Sequence, residues 1–196
     1  MKQLIIIIAL LHSVVLLSQE NENLYILKAD STWLKEVIKF PLEFAEDIDF
    51  EGYEDLRFAK NWSNPESSEF FTYAFVWNVN LSSSPTLELV TTNMKLYYDG
   101  LMTAVNKDKN FEIPKTIVDF QEIKETSELP VFNGEMKVYD AFFTKDIIEL
   151  NVTVKITYCK EQNKYVLLFR ISTLDYQNKI WNKLNAIKLA DNHCEK

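Results

Sequence analysis

Glycine is scarce in this chain of 196 residues, which contains only Gly52, Gly100 and Gly134. Loops that hold phosphate groups need several glycines close together, because the backbone must turn tightly and approach the ligand closely. The three glycines lie far apart in the sequence. A Walker-type nucleotide site and a dinucleotide-binding fold of the Rossmann type are therefore excluded.

Histidine is equally scarce, since His12 lies in the apolar N-terminal segment and His193 lies close to the end of the sequence. A Ser-His-Asp triad or a two-histidine zinc motif would have to depend on His193 alone. Asp191, His193, Cys194 and Glu195 do form a loose set of metal ligands. Residues at a chain terminus are usually solvated, so we predict neither a metal site nor a cofactor.

Positively charged residues are fewer than negatively charged ones. The sequence has 21 Lys and Arg residues and 29 Asp and Glu residues, which gives a net charge of −8. Arg57 and Arg170 are the only arginines. Nucleic acids and anionic lipids are held mainly by Lys and Arg, so we predict no nucleic-acid partner. The acidic surface serves solubility or favours a basic partner.

The first 19 residues form the strongest targeting signal in the sequence. Lys2 supplies a positive start, an apolar run extends over residues 4–17, and Ser18-Gln19 precede a polar stretch. This order is typical of a secretory signal peptide. The run is shorter than the roughly 20 residues of a membrane-spanning helix. We predict a secreted or periplasmic protein that is not transmembrane after cleavage; an uncleaved anchor is the alternative.

Cys159 and Cys194 are the only cysteines. After Cys159 the chain is expected to turn and run back along a strand, and a final helix returns the tail toward the same end of the sheet. We therefore predict a disulfide between them, which the chain-entropy model values at about 3–4 kcal/mol. Two free thiols are the alternative.

No repeat or Pro/Gly/Ser-rich linker divides residues 20–196, so we predict a single domain. The period of the apolar residues predicts a long helix from Pro85 to Val105 with Ser84 as N-cap, and a C-terminal helix after Asp175. A helical turn is predicted over residues 33–39. The predicted fold class is α+β, with an antiparallel sheet of five or six strands packed against a long central helix and a C-terminal helix. The strands are expected at 24–28, 53–58, 71–79, 116–124, 135–143, 147–159 and 164–172.

Several motifs resemble those of a known protein family. They are Trp33, Phe40-Pro41, Phe44-Ala45, Gly52, Arg57-Phe58, Trp62, Tyr73-x-Phe75-x-Trp77 and Tyr98-Asp99-Gly100-Leu101. Together they resemble an uncharacterised family of secreted or periplasmic proteins from Bacteroidetes-type bacteria. Because this family has no established function, the resemblance implies a location and a fold but no catalytic residues.

Aromatic residues are the first candidates for ligand binding, because a flat apolar ring with a polar edge suits sugars and peptides. Phe71, Tyr73, Phe75 and Trp77 alternate along a predicted strand, a pattern that more often indicates core. Trp62 differs, since it lies in a polar loop. It is therefore the preferred aromatic candidate.

Asp140 and Arg170 are charged residues within apolar strands. Asp140 shares a strand face with Val138, and Arg170 shares one with Leu168. The two charges could form a buried ion pair or line one end of a polar cavity. A structural pair is favoured, because a buried carboxylate needs a partner, and both residues are kept as ligand-binding candidates.

The functional prediction follows from the kinds of site that the sequence lacks. The sequence offers no nucleophile–base pair, no metal-ligand constellation and no phosphate-binding loop. We therefore predict a non-catalytic binding or assembly module whose partner is an envelope protein or a glycan, and a catalytic role is less favoured. One alternative is a carboxylate-dependent hydrolase acting on glycans. The other is an inhibitor or immunity-type protein that binds a basic partner.

Overall fold

The computed structural model describes residues 24–107, 110–123 and 128–195, and the predicted signal peptide of residues 1–19 lies outside them. The helices in these ranges are α1 (Leu87–Val105) and α2 (Ile180–Ala186), and a short 3-10 turn follows at His193–Glu195. The strands are β1 (Leu27–Lys28), β2 (Leu34–Lys39), β3 (Gly52–Phe58), β4 (Tyr73–Val79), β5 (Ile117–Ile123), β6 (Val131–Tyr139), β7 (Ile147–Cys159), β8 (Lys164–Ser172) and β9 (Lys188–Leu189).

Seven of the strands form one sheet in the order β2-β3-β4-β8-β7-β6-β5, and every neighbouring pair is antiparallel. Two meanders, β2–β4 and β5–β8, meet where β4 pairs with β8, with Phe75 opposite Phe169. Helix α1 connects the two meanders. β1 and β9 form a separate two-stranded sheet, in which Leu27 pairs with Leu189.

The fold class predicted from the sequence is wrong. The prediction was five or six strands packed against a long central helix and a C-terminal helix. The described residues are mostly sheet, with seven strands in one sheet, two in another, and helices of only 19 and 7 residues. The large sheet is the centre of the molecule, and α1 is a connection that covers part of it.

The strand of the large sheet that is missing from the prediction is β2, which the sequence presents as a helical turn. Asp30 accepts the Thr32 N–H on its carboxylate at 2.8 Å and the Trp33 N–H on its backbone carbonyl at 3.3 Å. These bonds close a turn, after which the chain is extended. A capping-type sequence such as Asp-Ser-Thr serves a turn as well as a helix start, and here it forms the turn.

The other elements lie close to their predicted positions. β7 and β8 have the predicted bounds, and α1 ends at Val105 as predicted. Its N-cap is Thr86 rather than Ser84, since the Thr86 hydroxyl accepts the Leu89 N–H at 3.2 Å. Asp175 does not cap α2; its carboxylate instead accepts the Gln177 N–H at 2.9 Å, and the helix begins at Ile180.

The large sheet is covered on both faces at its centre. We call the side covered by α1 the α1 face; there, Phe75, Trp77 and Phe169 belong to one core with Met94 and Tyr97 of the helix. The opposite side is the terminal face, covered by the two ends of the described chain. Its core contains Ile26, Trp33, Ala74, Val76, Leu168, Trp181, Leu184 and Ile187. Every residue of β4 is therefore buried.

The segment of residues 40–50 crosses over α1 at Gly100. A Cβ atom at this position would lie 2.0 Å from the carbonyl oxygen of Phe44, so only glycine permits the approach. The Phe44 ring meets the Tyr97 ring edge-on, with 5.1 Å between centroids. The crossing holds the segment above the helix and creates a wall beside β2.

Candidate functional site

An open cleft of about 1140 Å³ lies between β2, the segment of residues 40–44, and α1. Its size matches the upper end of small-ligand pockets, which run to about 1,000 Å³. The walls are mainly apolar and include Ile38, Phe40, Leu56 and Leu101. The charged lining residues come from β2 and the following segment and are Lys35, Glu36, Lys39 and Glu43. The cleft therefore combines an apolar interior with charges of both signs along one side.

Trp62, the aromatic candidate from the sequence, lines this cleft. Two backbone bonds fix its position in the loop between β3 and β4: Trp62 N–H donates to Ala59 O at 3.0 Å, and Phe71 N–H donates to Trp62 O at 2.9 Å. The half-buried indole contacts four aromatic rings, and its side chain is therefore held in place while part of it stays open to a ligand. Those rings belong to Phe58, Phe71, Phe142 and Phe143, at centroid distances of 4.7, 6.2, 6.4 and 5.4 Å.

Phe71, another lining residue, has a backbone φ of 48°, in the left-handed region. A bulky side chain rarely adopts this conformation, which costs on the order of 1–3 kcal/mol. Phe71 is buried, and its ring contacts Phe70, Tyr73 and Phe143. The surrounding aromatic residues thus hold a strained backbone at the edge of the cleft, a feature often found at functional sites.

Glu54 lies buried on the α1 face, opposite Ile38 in β2 and Trp77 in β4. The Tyr97 hydroxyl donates to its Oε2 at 3.2 Å, while Oε1 has no hydrogen-bond partner among the described residues. Burial raises the pKa of Glu54 to about 8; the bond from Tyr97 opposes this shift and the negative charge of Glu36 adds to it. Glu54 is therefore protonated at neutral pH, although it does not line the cleft itself.

Two buried tyrosines meet next to this acid. The hydroxyls of Tyr73 and Tyr98 are in hydrogen-bond contact, and burial raises the pKa of both. Both hydroxyls therefore stay protonated at ordinary pH, so the region beneath the cleft carries no charge there. The neighbouring Asp99 accepts the Thr116 N–H at 2.8 Å, which ties α1 to the chain just before β5.

Asp140 and Arg170 do not form the ion pair that the sequence favoured. Asp140 accepts the N–H groups of Phe142, Phe143 and Thr144 at 2.9, 3.1 and 2.7 Å and orders the turn after β6. Arg170 lies on the terminal face and donates to the carbonyls of Leu184 and Ile187, both at 2.9 Å, at the end of α2. Their partners are structural, and neither residue lines the cleft.

Sequence reasoning missed a buried ion pair in β3. Asp55 and Arg57 pair on the terminal face, both almost fully buried. Asp55 Oδ2 also accepts the N–H groups of Ile26 and Leu27 at 2.7 and 2.8 Å, and Arg57 donates to Leu27 O at 2.7 Å. Burial raises the pKa of Asp55, and Arg57 and the two amides oppose that shift. Residues two positions apart in a strand share a face of the sheet. The opposite charges of Asp55 and Arg57 at that spacing are the sequence feature that could have indicated the pair.

Cys159 and Cys194 form a disulfide, with their Cα atoms 5.1 Å apart. The two sulfurs and a ring nitrogen of His193 lie within 4.8 Å of one another. Cysteine binds zinc as a thiolate, and two sulfurs bonded to each other offer none. Asp191 pairs instead with Lys28 at 2.6 Å. Within the described ranges, neither helix has the length and apolar character needed to cross a membrane.

Comparison with protein-family models, with curated proteins and with solved structures finds no match. The family resemblance drawn from the sequence motifs therefore stays a prediction. The cleft and its surroundings are the basis for a functional proposal.

Proposed function

We propose that this protein is an exported, non-catalytic binding module whose ligand occupies the cleft beside β2. The observation that carries the proposal is an open cleft of about 1140 Å³ with mainly apolar walls, in which the half-buried Trp62 is held by four rings. A fixed aromatic side chain binds a ligand with little loss of conformational entropy. Strained backbone at Phe71 further supports this location.

Export is supported by two features. The N-terminal sequence has the order of a secretory signal, and we propose that cleavage follows Gln19. The disulfide between Cys159 and Cys194 is typical of proteins that work in an oxidising compartment. The periplasm and the exterior of the cell both meet this requirement.

A carboxylate-dependent glycan hydrolase is the second candidate, and the raised pKa of Glu54 is the observation that favours it. A protonated carboxylic acid near a second carboxylate is the arrangement of a general acid in glycosidases. Glu54 is fully buried, however, and does not line the cleft, so a glycan there would not contact it. Binding is therefore preferred. Glycan hydrolysis that is lost in Glu54→Gln but kept in Glu51→Gln would reverse this preference.

The binding proposal is tested with residues 20–196 produced in oxidised form and titrated with 1-anilinonaphthalene-8-sulfonate, a fluorescent anion whose aromatic rings bind apolar surfaces. We expect saturable binding that is about tenfold weaker in Trp62→Ala, because the probe loses its stacking surface. Tyr158→Ala is the matched control, since Tyr158 is an exposed aromatic residue on β7, four strands away from β2. It should change affinity by less than about twofold. Absence of binding to the wild type, or equal loss in both variants, would contradict the proposal.

A further inference from the structure

The cleft contacts all six residues of β2, from Leu34 to Lys39. Successive side chains of a strand point to opposite faces of its sheet. The side chains of only every second residue would line a cavity confined to one face. The cleft lies on the α1 face, where Leu56, Tyr73 and Tyr97 line it, and its contact with all six residues of β2 indicates that it extends to the free edge of the strand, where backbone groups are presented.

β2 is an edge strand, and its hydrogen-bonding pattern shows which backbone groups are free. Phe40 N–H donates to Gly52 O at 3.1 Å, in line with the β2–β3 register. Because antiparallel pairs alternate, the groups of Leu34, Glu36 and Ile38 also point toward β3. Those of Lys35, Val37 and Lys39 then point away from β3. Among the described residues, no hydrogen bond uses these outward N–H and C=O groups.

The side chains around this edge specify what could pair with it. On the cleft side, Leu34 is 52% exposed, and Ile38 lines the apolar wall. On the other side, Lys35 and Lys39 stand two positions either side of Val37. Lysines on an edge strand discourage indiscriminate pairing with other strands. They also favour a strand that brings carboxylates opposite them.

We propose that the ligand of the cleft is an extended peptide that pairs with β2 as an eighth, antiparallel strand of the large sheet. Apolar side chains of the peptide lie against Leu34 and Ile38, and acidic side chains lie opposite Lys35 and Lys39. Backbone hydrogen bonds to Lys35, Val37 and Lys39 supply affinity, and the alternating side chains supply selectivity. This inference rests on the proposed binding function and names the chemistry of its ligand.

A synthetic peptide of sequence ELTKEL, with blocked ends, is the probe. In antiparallel register its two glutamates fall opposite Lys39 and Lys35, its lysine opposite Glu36, and its leucines opposite Ile38 and Leu34. Titration calorimetry with the wild-type protein should detect binding. The charge-reversed peptide KLTEKL should bind about tenfold more weakly, because it places like charges across the pair.

Backbone methylation of the peptide tests the pairing without altering the protein. The N–H of its threonine should point to Val37, whereas the N–H of the adjacent lysine should point away. Methylation of the threonine nitrogen should therefore weaken binding about tenfold, and methylation of the lysine nitrogen less than about twofold. Equal effects of the two methylations would overturn the inference.

A protein variant provides a second measurement. Val37→Pro removes an outward N–H, a change that edge strands tolerate, and Val37→Ala keeps that N–H. We expect ELTKEL binding to fall about tenfold in Val37→Pro relative to Val37→Ala, while 1-anilinonaphthalene-8-sulfonate binding is equal in both. If the wild type binds the fluorescent probe but not the peptide, the peptide inference fails, and a small apolar molecule such as an acyl chain is the ligand. If it binds neither, the proposed function itself fails.

Discussion

Glu54 and Asp55 are neighbours in β3, yet the two faces of the sheet accommodate them differently. On the α1 face, Glu54 has one hydrogen bond from Tyr97, and burial raises its pKa to about 8. On the terminal face, Asp55 accepts two backbone N–H groups and pairs with Arg57. One face avoids a buried charge by keeping a proton, and the other surrounds its charge with partners. The buried acid on the α1 face, beside the cleft, thus stays neutral. On the terminal face, the Asp55–Arg57 pair holds the chain at Ile26 and Leu27 in place.

The largest expected effect comes from breaking the ion pair on the terminal face. Arg57→Met should lower the free energy of unfolding by about 3–5 kcal/mol, because Asp55 is left buried without its counter-charge. Urea unfolding measures this loss. Asp55→Asn combined with Arg57→Met should recover much of it, since asparagine can still accept the N–H groups of Ile26 and Leu27. Losses that simply add in the double variant would contradict this account.

Because Glu54 on the α1 face keeps its proton, we expect the free energy of unfolding to depend on pH. A folded pKa of about 8 against an unfolded value of 4.5 means that the folded state binds the proton more tightly. The resulting stability is complete below pH 4.5 and is lost as pH rises toward 8, by roughly 4 kcal/mol. Glu54→Gln should remove this loss in unfolding curves recorded between pH 5 and 8.

Glu51→Gln is the matched control for that experiment, because Glu51 is an exposed acid one residue before β3. It should keep the pH dependence of the wild type. If Glu54→Gln and the wild type lose stability in parallel as pH rises, the α1 face does not hold a neutral acid.

Removing the disulfide tests whether the stability of the terminal face and ligand binding in the cleft are independent. Cys159→Ser combined with Cys194→Ser should lower the free energy of unfolding by about 3–4 kcal/mol in the chain-entropy model. Because Cys159 belongs to the core of the terminal face and Cys194 packs against it, affinity of the cleft for 1-anilinonaphthalene-8-sulfonate should stay unchanged. The wild type treated with reductant should match the double variant, and a parallel loss of probe binding would show that the faces are coupled.

The smallest effect is expected from an ion pair that is open to solvent on its lysine side. Lys183 of α2 lies 2.7 Å from Glu69 in the β3–β4 loop, and their side chains are 59% and 15% exposed. Solvent and salt screen such a pair, so Lys183→Met should cost less than about 1 kcal/mol. Lys179→Met, an exposed lysine at the start of α2, is the control. If Lys183→Met lowers the free energy of unfolding as much as Arg57→Met does, the difference in burial does not determine how strongly the two ion pairs stabilise the fold.

Long periodic segments explain why much of the fold could be predicted from the sequence. β7 alternates over 13 residues and α1 repeats its apolar stripe over 19, so the bounds of β7 and the C-terminal end of α1 were correct. β2 has six residues, mostly exposed, because one edge of it is unpaired and one side faces the cleft. A strand that lies half outside the core carries no clear period, and its absence made the predicted sheet too small.

The candidate site was less accessible to sequence reasoning. Trp62 could be singled out because an aromatic residue in a polar loop is unusual, and the structure places it in the cleft wall. Its role in ligand binding stays a prediction. Alternation shows which residues share a face of one strand, but not which faces of distant strands coincide. For that reason Asp140 and Arg170 were expected to meet, although they lie on opposite faces of the sheet.

The pairing of β1 with β9 has a consequence for the life of the protein in the cell. Leu27 pairs with Leu189, and Ala190 N–H donates to Ile26 O at 2.7 Å, so the beginning and the end of the described chain complete one another. Bringing such distant residues together carries a loop-closure cost in folding. A chain interrupted before residue 188 would leave β1 without a partner and Cys159 as a free thiol. Incomplete copies would therefore expose apolar surface that complete copies hide, and proteases could remove them selectively.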